Sequence, residues 1–167
     1  MKELILGAGN YDKKRLWLDT NEYQNPITLD IDESCKPNVV WDLNKHPLPF
    51  KDEEFDEIHA YDILEHLSKQ GDYKFFFSEF SEYWRILKPD GRFHASVPRW
   101  DRKWAWGDPG HTRVFPVELV TYLDQDEYEE QIGITQMTDY RDIYKVSFKL
   151  VYYERCEMQD LFVLKKV

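Results

Sequence analysis

Cysteine is scarce in this 167-residue chain, which has only Cys35 and Cys156. Two thiols can form one bridge at most, which excludes the disulfide framework that staples many small secreted domains. Reduced thiols and a cytoplasmic location are the expectation. Long apolar runs are also missing. None approaches the roughly 20 residues that cross a bilayer, so no membrane partner is expected. Met1-Lys2-Glu3 leads straight into an apolar run, and no secretory leader is expected. Basic charge is in deficit, with 22 Lys and Arg against 32 Asp and Glu, a net charge of −10. Such a chain repels phosphate backbones, and the small cluster Arg99, Arg102 and Lys103 does not reverse that. No nucleic-acid partner is expected. No Gly-x-Ser-x-Gly elbow is present, which argues against a Ser-His-Asp hydrolase. His59 and His66 lack a matching ligand pair at helical spacing, so no metal is expected. No repeat, low-complexity segment or second domain is evident.

The chain is rich in apolar and aromatic residues, 42% and 16%. That is a globular composition, and the length suits one domain over residues 1–167 with a single core.

The run NVVWDLNKHPLPFKDEEFDEIHAYDILEHL, residues 38–67, organises the rest. Residues 39–41 read as a short strand ending in an acid, Asp42. A Pro-rich turn and an acidic loop follow. Residues 55–60 read as a second strand, with Phe55, Ile58 and Ala60 alternating against Asp56, Glu57 and His59. Ile63, Leu64 and Leu67 then fall at helical spacing, with Asp62 as N-cap and Glu65 completing a capping box. Ahead of this region, Leu4, Ile5 and Leu6 read as a strand that runs into Gly7-Ala8-Gly9-Asn10. Residues 27–30 form another, ending in Asp30. Only six residues separate Asp32 from Val39, too few for a crossover helix. Either a tight loop joins these strands or residues 39–41 are a marginal edge strand.

Residues 72–87 read as a helix with Phe76, Phe80, Tyr83, Trp84 and Leu87 on one stripe. Lys88-Pro89-Asp90-Gly91 stops it, and Phe93, Ala95 and Val97 start a new strand. Residues 99–115 form a long Trp-rich loop, of the kind that often carries function. Residues 116–132 read as a helix. Residues 144–153 and 161–167 alternate as a closing antiparallel hairpin.

DLNKHPLPFKDEEFDEIHAYDILEHL followed by EYWRILKPDGRFHASVP resembles the central part of class I S-adenosylmethionine-dependent methyltransferases, in their small Rossmann-like group. The resemblance covers residues 4 to about 98. It implies an α/β three-layer sandwich with a mostly parallel sheet, a C-terminal antiparallel hairpin, helices on both faces and S-adenosylmethionine as cofactor. It implies that Gly7, Ala8, Gly9 and Asn10 hold the methionine part. Asp30, with Ile31 beside it, would take the ribose, and Asp32 competes for that role. Asp42 and the backbone of Leu43 would take the adenine. Two departures stand out: Ile5 replaces the usual acid in the strand, and Tyr11 stands at the third glycine position.

Methyl transfer needs in-line orientation more than a dedicated catalytic residue. Tyr61 and Asp62 follow a strand end and belong near the sulfonium. Tyr61 would touch it through its ring or serve only as a wall. Asp108, His111, Arg113 and Phe115 resemble a segment of sugar and small-molecule methyltransferases. His111, oriented by Asp108, would be a base or a structural tie for its loop. The expected activity is O- or N-methylation of a small molecule or sugar. Two alternatives stay open: an inactive methyltransferase-like binding protein, and a nicotinamide-dependent oxidoreductase, for which the full Gly-x-Gly-x-x-Gly fingerprint is absent.

Overall fold

The computed structural model describes residues 1–9, 13–16, 22–24 and 26–167. Its strands are β1 (Glu3–Leu6), β2 (Ile27–Asp30), β3 (Val39–Val40), β4 (Phe55–Tyr61), β5 (Leu87–Pro98), β6 (Phe148–Arg155) and β7 (Gln159–Lys166). They form one seven-stranded sheet in the order β3-β2-β1-β4-β5-β7-β6. The first five run parallel, and β7 inserts antiparallel between β5 and β6. This is the mostly parallel sheet with a C-terminal hairpin that the sequence led us to expect. The strand order reverses between β1 and β4. Ligands of open α/β sheets sit outside the carboxyl ends of the strands at such a switch point.

The two faces of the sheet differ. On one, Leu4 and Leu6 pair in register with Ile58 and Ala60, then with Phe93 and Ala95, then with Leu164 and Phe162. All are buried. The helix α1 (Tyr73–Ile86) covers this face with an aromatic stripe. The Phe80 and Tyr83 rings lie 5.6 and 4.8 Å from that of Phe93. Asp72 caps α1 by accepting from the Phe75 N–H at 3.2 Å, within one residue of the expected start.

The other face carries the polar half of the same alternation, and it is buried as well. Glu3, Glu57, His59 and His94 are each at most 5% exposed. Lys14 covers them, pairing with Glu3 and, at 2.9 Å, with Glu57. The His59 and His94 rings stack 4.8 Å apart. Burial pushes the His94 imidazole down to about 3, so it is neutral at physiological pH. Burial works against the Glu57 charge, but hydrogen bonds with His59 and Lys14 outweigh it and hold the carboxyl below its ordinary range. Among the described residues, no α-helix lies between β1 and β2 or between β2 and β3.

Several sequence expectations need correction. The helix expected after Asp62 is a single 3-10 turn, Leu64–His66, capped by Ile63 without a side-chain bond. Asp62 is not its cap: it has φ of +52° and its carboxylate binds elsewhere. The strand expected after Lys88-Pro89-Asp90-Gly91 already starts at Leu87, and those residues bulge where β4 advances from Phe55 to Glu57. The helix expected over 116–132 breaks into a 3-10 segment, Val117–Leu123, and the helix α3 (Gln125–Gln131). Asp124 ends one and caps the other by accepting from the Asp126 N–H. Within the Trp-rich loop lies a short helix, α2 (Lys103–Gly107). The hairpin strand β6 starts later than expected, at Phe148 rather than 144, and β7 earlier, at Gln159 rather than 161. Val39–Val40 is the marginal edge strand, and both cysteines are free.

Replacing Lys14 by Met would strand two buried carboxylates. We expect a loss of about 3–5 kcal/mol in chemical denaturation. A loss under about 1 kcal/mol would show that the ion cluster does not hold this face.

Candidate active site

Four strands deliver the site at their carboxyl ends. Beyond β1, Gly7 and Gly9 both take positive φ, +59° and +49°, which side chains disfavour. A Cβ at Gly7 would lie 2.6 Å from the Ile63 side chain, so the loop packs directly against the chain leaving β4. Beyond β2, Asp30 accepts from the Gly9 N–H at 2.8 Å through one oxygen and from the Asp32 N–H at 2.9 Å through the other. Each oxygen keeps a lone pair. Asp32 is occupied in capping the 3-10 turn Glu33–Cys35, accepting from the Ser34 N–H. Ile31 is 67% exposed, an apolar side chain open beside Asp30. Beyond β3, Asp42 accepts from the Asn44 N–H at 2.9 Å, and Leu43 is buried. Asn10 lies outside the described residues.

Beyond β4, the picture departs from the sequence reading. The Asp62 carboxylate accepts from the Ser96 hydroxyl at 3.0 Å and the Gln159 amide at 2.6 Å, and it pairs with Arg15. Its role here is to tie β4, β5 and β7 together at their site ends. The Tyr61 hydroxyl points inward: it donates to the Leu16 carbonyl at 3.0 Å and lies 3.0 Å from His59 Nδ1. The Arg15 guanidinium sits 5.9 Å from the Tyr61 ring centroid. Tyr61 is therefore a buried strut with a cation already over its ring, and its hydroxyl is not presented to the cleft. Burial raises that hydroxyl far above its ordinary range. The roles of Gln159 and Ser96 went unnoticed in the sequence: Ser96 reads only as a polar position of a strand, and Gln159 lies 97 residues from its partner.

The loop after β5 returns to β4. The N–H groups of Thr112 and Arg113 both donate to the Glu65 carbonyl, at 2.9 and 3.2 Å. Arg113 is 7% exposed; it donates to the Leu64 carbonyl at 2.7 Å and to both oxygens of Glu79 at 3.1 and 2.8 Å. These bonds bring His111 to the turn Leu64–His66. His111 Nε2 lies 4.0 Å from Glu65 and 3.9 Å from Asp108. Asp108 is thus beyond hydrogen-bond range of the imidazole that the sequence had it orient; it accepts instead from the Gly110 N–H at 2.7 Å. Glu65 itself is 2% exposed, and burial pushes its carboxyl up to about 8. A cavity of about 270 Å³, lined by Gln70, Asp72, Tyr73, Phe76 and Tyr140 among others, lies by the start of α1 and shares no residue with the strand-end acids.

No family model matches this chain, and no curated protein matches it either. Solved structures do. A SAM-dependent methyltransferase from Archaeoglobus fulgidus superposes with a TM-score of 0.62 at 15% identity, covering 99% of this chain and 86% of the other. The N-methyltransferase NodS from Bradyrhizobium japonicum gives 0.59 at 11%, covering 99% and 85%. The 1,6-didemethyltoxoflavin-N1-methyltransferase of Burkholderia thailandensis, solved with 1,6-didemethyltoxoflavin and S-adenosylhomocysteine, gives 0.55 at 16%, covering 99% and 71%. The fold is that of the class I methyltransferases. In this fold the glycine loop, Asp30 and Asp42 stand at the carboxyl ends of β1, β2 and β3, and Glu65, His66 and His111 face one another past β4. No helix among the described residues is long and apolar enough to cross a membrane.

Glu65 generates a pH prediction. Its folded carboxyl holds its proton to about 8, against an ordinary 4.5, so folding takes up a proton that the unfolded chain has released. Stability should fall as pH rises through that window, at up to about 1.4 kcal/mol per unit. In chelated buffer, Glu65→Gln should change the melting temperature little at pH 4.5 and raise it relative to the parent at pH 8. Parallel pH–stability curves for the two proteins would contradict this.

Proposed function

We propose that this chain binds S-adenosylmethionine and transfers its methyl group to a small acceptor, on oxygen or nitrogen. The observation that carries the reading is the Gly9–Asp30 bond, which sets a positive-φ glycine loop against a strand-end acid with lone pairs to spare. The residues fit the group. Asp30 would accept from the ribose hydroxyls, and the exposed Ile31 and the buried Leu43 would contact the adenine ring, with Asp42 facing its amino group. Gly7, Ala8 and Gly9, with Asn10, would hold the methionine part. When bound, the sulfonium supplies an activated methyl group.

The protein's own contribution is to orient the acceptor in line with that methyl, an effect worth up to ~7–11 kcal/mol in favourable cases. Asp62 supports this by holding the ends of β4, β5 and β7 together, with Tyr61 as a wall behind them. His111 stands on the acceptor side and acts on the acceptor's proton or on the oxygen that bears it. Asp108 braces its loop through Gly110. The net charge of −10 favours a small molecule over nucleic acid as acceptor. The departures of the glycine loop and the lack of an α-helix among the described residues between β1, β2 and β3 are what an inactive relative would also show; for an oxidoreductase the Gly-x-Gly-x-x-Gly fingerprint is absent.

Calorimetry with S-adenosylhomocysteine and with NADH tests the cofactor. S-adenosylhomocysteine should bind and NADH should not. Asp30→Ala should weaken the former ten- to a hundredfold, about 1.5–3 kcal/mol. Equal affinity in the variant would remove Asp30 from the site. For catalysis, His111→Gln should lower kcat at least about a hundredfold with cofactor affinity kept, once a screen of phenols, sugars and amines supplies an acceptor. Retained turnover with an earlier melt would make His111 only a tie for its loop.

A further inference from the structure

We propose that Glu65, His66 and His111 form a binding site for a divalent transition metal on the acceptor side of the cleft. Glu65 is 2% exposed, yet among the described residues neither of its carboxylate oxygens has a hydrogen-bond partner. Buried carboxylates are normally hydrogen-bonded, paired or coordinated to a metal, because leaving one unsatisfied is costly. The nearby cations are engaged elsewhere: Arg113 with Glu79 and the Leu64 carbonyl, Arg15 with Asp62. What faces Glu65 is imidazole. His111 Nε2 lies 4.0 Å from its Oε1, and the His66 ring sits edge-on to that of His111 at 4.8 Å. One donor atom from each of the three residues lies within 4.8 Å of the other two. His111 Nδ1 is also buried without a hydrogen-bond partner among the described residues.

The surroundings are built to hold these rings. His66 Nδ1 lies 2.9 Å from the Gly110 carbonyl, which can only accept. That nitrogen therefore carries the proton, and Nε2 has the lone pair. An outer bond of this kind fixes the tautomer of a ligating histidine. Gly110 is held by its own N–H to Asp108, and residues 112 and 113 are bonded to the Glu65 carbonyl. Both sides of the cluster are thus tied to each other through the backbone. Metal–ligand distances near 2.0–2.2 Å require the donors to draw together by about an ångström.

Two imidazoles and one carboxylate suit Zn²⁺ and its first-row neighbours better than Mg²⁺ or Ca²⁺, which prefer all-oxygen shells. Three protein ligands leave a position open, as in metal sites that act on a bound molecule. The inference rests on the methyltransferase reading for its purpose. An acceptor hydroxyl in the open position would lose its proton more readily, which narrows the acceptor to a hydroxyl compound. A second trio, Glu3, Glu57 and His59, also brings three donors together. There the Lys14 ammonium already sits against both carboxylates and takes the cation's place. Among the described residues, no lysine pairs with Glu65.

The test is calorimetric titration of the chelator-stripped full chain with Zn²⁺, Mn²⁺ and Mg²⁺ separately, with Co²⁺ absorption as a spectroscopic readout. We expect one Zn²⁺ per chain at about 1 μM or tighter, and Mg²⁺ binding much weaker. Glu65→Gln and His111→Gln should each weaken Zn²⁺ at least tenfold and abolish the Co²⁺ visible bands. His46→Gln should leave both unchanged, since His46 bonds Ser78 away from the site. Far-UV dichroism checks folding, and His66→Gln, at a half-buried position, replaces Glu65→Gln if that variant does not fold. No Zn²⁺ binding tighter than millimolar, or binding that survives the substitutions at Glu65, His66 and His111, would overturn the proposal. S-adenosylhomocysteine is titrated separately. Its failure to bind would count against the cofactor reading and leave the metal result standing.

Discussion

A buried lysine needs a counter-charge, and that need governs the second face of this sheet. Lys14 is 5% exposed and reaches two carboxylates on neighbouring strands, Glu3 on β1 and Glu57 on β4. An ammonium left unpaired in such a place would carry a desolvation cost of several kcal/mol. The pairing therefore fixes where Lys14 and its described neighbours lie against the sheet. With Leu16 at the Tyr61 hydroxyl and Arg15 on Asp62, it places residues 14–16 along β4, from Glu57 to the strand's carboxyl end. Among the described residues, a charged and aromatic layer lies against this face. The stacked His59 and His94 rings complete it, with burial keeping His94 neutral.

That anchoring bears on function through the glycine loop. A Cβ at Gly7 would crowd the Ile63 side chain and sit at a strained positive φ, and Gly9 donates to Asp30. The loop is thus held between the chain after β4 and the end of β2, which joins the ends of β1, β2 and β4. On the far side of the cleft, the buried Arg113–Glu79 pair does a similar service. It holds the loop after β5 against the turn Leu64–His66, which is what brings His111 to Glu65.

Much of this was legible in the sequence where the signal was local. Strand-end acids, the alternation in β4, the aromatic stripe of α1 and the turn at Gly91 all follow from spacing within a dozen residues. The sheet, its hairpin and the positions of Asp30 and Asp42 came from that. What escaped notice depended on long-range partners. Asp62 reads as a helix cap, yet it binds Gln159 and Arg15, so the turn after it is only a 3-10 turn. Tyr61 reads as a cleft residue, yet its hydroxyl finds the Leu16 carbonyl. Glu65 reads as half of a capping box, when it is a buried carboxylate facing two imidazoles. His66 and His111 are 45 positions apart in the chain, so no short pattern could pair them. Alternation also gave no hint that the polar side of β4 is as dry as its apolar side.

The central claim is that the carboxyl ends of β1, β2 and β3 hold S-adenosylmethionine. A crystal structure grown with S-adenosylhomocysteine tests it most directly. The account expects the ribose within hydrogen-bond distance of Asp30, the adenine between Ile31 and Leu43, and the sulfur turned toward the end of β4. Ligand density in the cavity beside α1, or none in crystals soaked to saturation, would contradict it.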